Sequence, residues 1–249
     1  MPAIRVLRRD KRGSSSPVVV ETAEGSYFVK LRGSAQGTSA LVAEVIVASL
    51  ADRIGLPVPP RRIVVLSEAV PSDDRNDELA DLLRASHGEN LGFLYLPNAR
   101  PFTLADLGTV TRDFAAQVRW LDWLVLNPDR GPRNPNLMVD GSALWLIDHG
   151  AALPFQHDWA SVTEASPGRA ELAIPHVLAS LAGDVAEWDP LLTSLVGRQQ
   201  LIEAVAEVPE SFIRPLLTGD TVEMGIARRR ESYVAFLWKR LRAPHLFGS

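Results

Sequence analysis

The sequence predicts an α+β protein with two lobes, strand-rich first and helical second. Three observations carry that reading. Short β-branched and apolar runs bounded by Gly and Pro crowd residues 4–96, which is the punctuation of strands joined by turns. From residue 110 onward apolar residues recur at helical spacing, as in Phe114, Val118, Leu121 and Val125. A hairpin pattern at residues 137–147 interrupts the helices. Strands and helices kept apart along a chain make an α+β arrangement rather than an alternating one. At 249 residues the chain can fill one large domain or two packed lobes. The break at Pro97-Asn-Ala-Arg-Pro101 sets the boundary, giving lobes of residues 1–96 and 97–249.

Residues 4–7 form a short apolar strand, and residues 8–16 are polar and basic, running into Gly13-Ser-Ser-Ser-Pro17. Residues 18–22 and 26–31 flank the turn Ala23-Glu-Gly25 and read as a hairpin. In its second strand Tyr27, Val29 and Leu31 face one way, Phe28 and Lys30 the other. Thr38 or Ser39 caps a helix over residues 40–54, which Gly55 and Pro57 stop. The early half of this helix carries one charge, Glu44, among Leu41, Val42, Val45 and Ile46. A carboxylate there calls for a partner, because an unpaired buried charge is costly. Residues 61–66 read as a strand, 77–84 as a short helix and 90–96 as a strand. In the second lobe a helix over residues 110–126, thickened by Trp120 and Trp123, leads into the hairpin. Residues 151–167 form a loop, and residues 170–182, 189–206, 209–217 and 223–242 read as helices.

The hairpin gathers the most informative side chains. Asp129 and Asn134 lie five positions apart on the loop before it. Asp140-Gly141 is a hairpin turn signal, and Asp148 closes the return strand. Pairing of the two strands brings the loop and Asp148 to the same end. Three oxygen-bearing side chains then converge as Mg²⁺-dependent phosphoryl transfer requires: a carboxylate for the nucleophile's proton, and an Asn and an Asp for the metal. The plain alternative is a surface loop whose Asp and Asn cap turns. Asn136 competes with Asn134; the spacing favours Asn134, and Asn136 suits a role holding the loop through backbone bonds. Lys30 reads as a solvated strand end or as a ligand-facing cation, with Glu44 fourteen residues on as its partner. Arg53 and Arg61 are other partners for Glu44. Gly13 to Pro17 reads as a phosphate-covering loop of small residues or as a flexible connector. Asp122, between two Trp residues, suits a cap or an ion pair, and His149 a packing role. Arg130 suits a loop anchor or a phosphate contact.

Composition closes several routes. Hydrophobic residues make up 46% and charged residues 22% of the chain, an ordinary globular balance. A net charge of −4 gives no electrostatic case for nucleic acid or an anionic membrane. The absence of cysteine excludes disulfides, thiolate zinc sites and a cysteine nucleophile, and agrees with a reducing cytoplasm. The N-terminus lacks the apolar core of a signal peptide, and no apolar run reaches the roughly 18 residues of a span, so a cytoplasmic protein without a membrane span is expected.

The run Asp129-Arg-Gly-x-x-Asn-x-Asn-Leu137, closing with Ile147-Asp-His-Gly150, resembles the HipA-like kinases of the protein-kinase-like superfamily and, more remotely, phosphatidylinositol kinases. It has no H-R-D, D-F-G or A-P-E. The resemblance extends to the Ser15-Ser-Pro17 loop, Tyr27-Phe-Val-Lys30, the helix with Glu44, Ile54-Gly-Leu-Pro-Val-Pro59, and Tyr233 to Leu241. It implies a bilobal protein-kinase-like fold, with ATP between the lobes and residues 93–98 as the hinge. Tyr95 and Leu96 would then meet the nucleotide. Lys30 would hold the phosphates and pair with Glu44, while Gly13, Ser14, Ser15 and Ser16 cover them. Asp129 would take the acceptor's proton, and Asn134 and Asp148 would hold Mg²⁺. The implied acceptor is a protein Ser/Thr hydroxyl. A small-molecule or lipid kinase, or a nucleotide-binding pseudokinase serving as an interaction module, are the alternatives. The resemblance further implies self-phosphorylation at one of Ser14 to Ser16, whose added charge would repel ATP.

Overall fold

The strand-forming runs of the first part pair into one antiparallel sheet in the computed structural model, which describes residues 1–9, 17–74, 76–168, 175–217 and 222–243. The strands are β1 (Ala3–Arg9), β2 (Val18–Thr22), β3 (Gly25–Lys30), β4 (Arg61–Leu66) and β5 (Gly88–Leu94), in the order β1-β2-β3-β5-β4. Helix α1 (Gly37–Arg53) follows β3, and α2 (Asp77–Ala85) joins β4 to β5. Alternation decides which face is core. Val18, Val20, Tyr27, Val29, Val64 and Leu66 bury one face together with Leu79 and Leu83 of α2. Each such side chain contributes roughly 1.5–3 kcal/mol on leaving water. The Asn76 side chain caps α2 by accepting from Leu79 N at 3.1 Å. Gly92 is required by close packing: a Cβ there would lie 2.7 Å from Val64 Cγ2 and 3.2 Å from Tyr27 Cβ.

The chain divides into two compact units, Met1–Leu41 with Pro59–Asn98, and Val42–Val58 with Ala99–Ser249. Most of α1 thus groups with the second unit. There Arg53 meets Glu203 at 3.1 Å and Glu207 at 3.7 Å, and Ser49 Oγ donates to Glu207 at 2.6 Å. The alternative pairing of Glu44 with Arg53 is replaced by this one.

The second unit adds a small sheet of β6 (Arg100–Pro101), β7 (Leu137–Asp140) and β8 (Ala143–Leu146), in that order. Its helices are α3 (Arg112–Leu124), α4 (Asp189–Leu195), α5 (Arg198–Ala206), α6 (Glu210–Ile213) and α7 (Val222–Arg242). β6 was not expected: two residues around a Pro carry no strand signal, and β7 recruits them. The expected helix over residues 189–206 is two, because Gly197 adopts an extended conformation and its N–H donates to Gln200 Oε1, starting α5 anew. Over residues 209–217 the helix tightens at Pro215 into a 3₁₀ turn. Of the helix expected over residues 170–182, the described residues 175–182 form turns instead. Val177 N–H donates to Arg130 O at 3.0 Å, a long-range bond that a helix would forbid.

The core of this unit forms around α3 and α7. Trp120 and Leu121 are fully buried, and Trp120 Nε1 donates to Asp189 Oδ1 at 2.8 Å. Arg240 of α7 donates to the Trp123 and Leu124 carbonyls and stacks on the Trp123 ring, 4.5 Å from its centroid. It thereby satisfies the Leu124 carbonyl at the end of α3 and adds a bond to that of Trp123, which also accepts from Leu126 N–H. Among the described residues no helix is long and apolar enough to cross a membrane.

Candidate active site

The loop that leaves α3 is fixed at its first step. Leu126 takes a left-handed conformation (φ 54°), and Asn127 turns back on the helix. Asn127 N–H donates to Asp122 O at 2.8 Å, its amide donates to Asp122 Oδ1 at 2.8 Å, and its Oδ1 accepts from Asp129 N at 3.1 Å. The last bond is an Asx-turn, the local chemistry that suits Asn to such positions. It presents Asp129 half-buried at the loop surface.

Asp129 is bound to both asparagines of its loop. Asn134 Nδ2 donates to Asp129 Oδ2 at 2.9 Å. Asn136 Nδ2 donates to Asp129 O at 2.6 Å and reaches Oδ2 at 3.3 Å. Gly131 and Asn134 close a turn over Pro132 and Arg133, with Asn134 N–H donating to Gly131 O at 3.1 Å. Asn134 is exposed, whereas Asn136 is buried. An amide that offers its NH₂ to Asp129 turns its oxygen elsewhere. Asn134 therefore has an oxygen to offer a cation, and Asn136 binds the loop backbone.

The hairpin sets Asp148 beside this loop. Asp140 is the last residue of β7, paired with Ala143, so the turn is Gly141-Ser142, one position later than the Asp140-Gly141 signal indicated, with Gly141 supplying φ 60°. Leu137 pairs with Leu146, and one step beyond, Ile147 N–H donates to Asn136 O at 3.1 Å. Asp148 follows directly, at the same end of the hairpin as Asn136. Among the described residues, the non-glycine residues with positive φ are Leu126, Asn136, Asp148 and Leu153, all flanking this loop and hairpin. Such conformations persist only where surroundings enforce them, and they cluster at functional sites.

A buried polar cluster does the enforcing. Arg130 and Asp122 have fully buried side chains, with Arg130 Nε at 2.6 Å from Asp122 Oδ2. Arg130 Nη1 donates to Asn136 O at 2.5 Å, and Nη2 lies 3.3 Å from His149 Nδ1. A guanidinium only donates, so Nδ1 of His149 accepts. His176 Nε2 stands 3.0 Å from Asp122 Oδ2. Burial alone would push the Asp122 carboxyl up. The charge of Arg130 and the hydrogen bond from His176 overcome it and hold the group well below the usual carboxylate range. Arg130 is a loop anchor and Asp122 its ion-pair partner. His176 was not singled out by the sequence, since a lone His after a Pro gives no signal of a partner 54 residues earlier.

The remaining expected residues lie elsewhere. Lys30, 6% exposed, ends β3 opposite Leu91 in the first unit, and Glu44, fully buried, lies in the second. Beyond Lys30 the chain is tied down: Arg32 N–H donates to Asn90 Oδ1 at 2.8 Å and Gly33 N–H to Ser86 Oγ at 3.1 Å. Tyr95 follows β5, its N–H donating to Ser26 O at 2.9 Å and its hydroxyl accepting from Arg8 at 2.7 Å; Leu96 is half-buried next to it. Gly13, Ser14, Ser15 and Ser16 lie outside the described residues. The described residues hold no group of three or more His, Cys, Asp or Glu suited to a metal. The donors at hand are amide and carboxylate oxygens, which fit Mg²⁺, an ion commonly held by one or two carboxylates with phosphate and water completing its shell.

Comparison with known proteins identifies the family and the fold. The HipA-like kinase profile matches residues 3–166. Among solved structures, the Helicobacter pylori proinflammatory kinase CtkA is similar, with a TM-score of 0.55 at 9% identity over 96% of this chain and 98% of that one. At that identity the likeness is one of fold. No curated protein matches the chain. With a family match over well more than half its length and a kinase-like α+β fold, the chain belongs to the HipA-like kinase family.

Proposed function

We propose that the protein is an ATP- and Mg²⁺-dependent phosphotransferase acting on a hydroxyl, with a protein Ser/Thr side chain as the acceptor. The observation that carries this is the Asp129 carboxylate held by Asn134 and Asn136, with Asp148 at the same end of the hairpin. Magnesium ATP, when bound, supplies the phosphoryl group and the positive charge that offsets its negative oxygens. Asn134 and Asp148 would hold the metal. Lys30, with Glu44 serving the same nucleotide, would bind phosphate, and Tyr95 and Leu96 would meet the base. Asp129 Oδ2 is occupied by the amides, so Oδ1 is the oxygen that would orient the acceptor hydroxyl and take its proton. A chain without cysteine suits the cytoplasm as the setting.

The test is a phosphotransfer assay with ATP and Mg²⁺, run on the wild type and Asp129→Ala. Intact-mass spectrometry would follow both this protein and a pool of candidate acceptors. Phosphate on a protein Ser or Thr that disappears with Asp129→Ala is expected. Turnover only on a small molecule or lipid would redirect the acceptor assignment, and nucleotide binding without any transfer would identify a pseudokinase. Mapping of the wild-type product at Ser14, Ser15 and Ser16 tests self-phosphorylation in the same experiment.

A further inference from the structure

His176 lies beyond the stretch that matches the family, residues 3–166, yet it reaches the centre of the catalytic loop's support. Its ring is oriented by its own neighbour: Leu178 N–H donates to His176 Nδ1 at 3.1 Å. An accepting Nδ1 leaves the proton on Nε2, which donates to Asp122 Oδ2 at 3.0 Å. That oxygen is also the one Arg130 Nε meets at 2.6 Å. The adjacent Val177 N–H donates to the main-chain oxygen of Arg130 at 3.0 Å. Residues 176–178 therefore hold Arg130 twice, once through its backbone and once through Asp122. Arg130 in turn fixes the Asn136 carbonyl and contacts His149. Its sequence neighbour is Asp129, and His149 is next to Asp148.

We propose that His176 is a positioning residue for phosphotransfer, its Nε2–H orienting Asp122 so that Arg130 holds Asp129 and Asp148 in register. The proposal rests on the functional reading above. Positioning partners one step removed from a reacting site change activity by about 10–100-fold when lost. Both ring nitrogens make directed hydrogen bonds, which fix the ring's orientation as packing alone does not.

Two substitutions separate the ring's two bonds. His176→Asn places an amide where Nδ1 was, so it keeps an acceptor for Leu178 N–H but is too short to reach Asp122. His176→Gln places its amide nitrogen near the Nε2 position and keeps the donor to Asp122. Both are polar and of modest size, so folding is retained, as thermal melts would verify. Turnover is measured at saturating ATP and Mg²⁺, beside the wild type and Asp129→Ala. A fall in kcat of about tenfold or more for His176→Asn, with KM for ATP within about twofold and recovery in His176→Gln, is the expected result. Wild-type kcat in His176→Asn, or equal losses in the two variants, would overturn the positioning role and leave the kinase reading standing. A wild type without turnover would overturn both, and would be distinguished by the absence of any activity to lose.

Discussion

The hairpins β2–β3 and β7–β8 each lead into a residue proposed for the site, and they hold it by opposite means. β2 and β3 pair without a break from Val18↔Val29 to Thr22↔Gly25, and Lys30 simply continues the strand opposite Leu91. Its orientation follows from alternation and from the sheet on either side. β7 and β8 pair over only four residue couples, and Asp148 leaves them in a left-handed conformation. Its placement depends on Asn136, Arg130 and the buried Asp122, not on the ladder. A regular strand fixes a side chain through many small, redundant bonds. A strained segment fixes one through a few buried polar bonds, each of which matters more.

The largest expected effect compares the two ends directly. Asp148→Asn keeps a residue type that tolerates positive φ, so the fold should survive while the charge proposed to hold the metal disappears. Phosphotransfer should fall by at least about a hundredfold, in line with loss of a group that acts on transition-state charge. Lys30→Met should weaken ATP binding, measured by calorimetry, while leaving residual transfer at high ATP. Full turnover by Asp148→Asn at ordinary Mg²⁺ would break the comparison, since the strained residue would then have no chemical task.

Next is the support itself. Asp122→Ala leaves the guanidinium of Arg130 buried without its carboxylate, a loss of about 3–5 kcal/mol for a buried pair. Urea unfolding should show it, and the loop bonds to Asn136 and His149 should loosen with it. Gly92→Ala tests the regular sheet in the same units. Its Cβ would press on Val64 and Tyr27, both within the core cluster. Overpacking of this kind costs about 1–3 kcal/mol. A larger loss from Gly92→Ala than from Asp122→Ala would reverse the claim that the strained region depends more heavily on single groups.

The same contrast explains what the sequence disclosed. The first sheet was legible because β-branched runs bounded by turns mark strands: Val18 to Thr22 is such a run, buried on both faces, and Tyr27 to Leu31 returns from the turn after it. The hairpin itself was legible from its apolar runs and the Asp140-Gly141 signal, although the turn falls one residue later, at Gly141-Ser142. Other features depend on long-range bonds that leave no local periodicity. β6 exists only because β7 is beside it, and the turns at residues 175–182 exist because Val177 and His176 bond to Arg130 and Asp122. The break at Gly197 likewise rests on conformation: its N–H turns to Gln200 Oε1 and starts a new helix.

The smallest effect is also the most discriminating for the buried pair, and it lies in acid. Asp122 has a carboxyl held below its ordinary value in the folded state, through the charge of Arg130 and the hydrogen bond of His176 acting against burial. A carboxylate of this kind stabilises the fold fully at any pH above its unfolded value of about 3.9, and that stabilisation is lost as pH falls through the lower folded value. The difference in stability between wild type and Asp122→Asn should therefore stay level from about pH 8 down to about pH 5 and shrink only below about pH 4. Urea titrations of both proteins across that range would measure it. A difference that already narrows near neutral pH would assign the linkage to another group, and the ion pair would no longer be what holds the strained hairpin end in place.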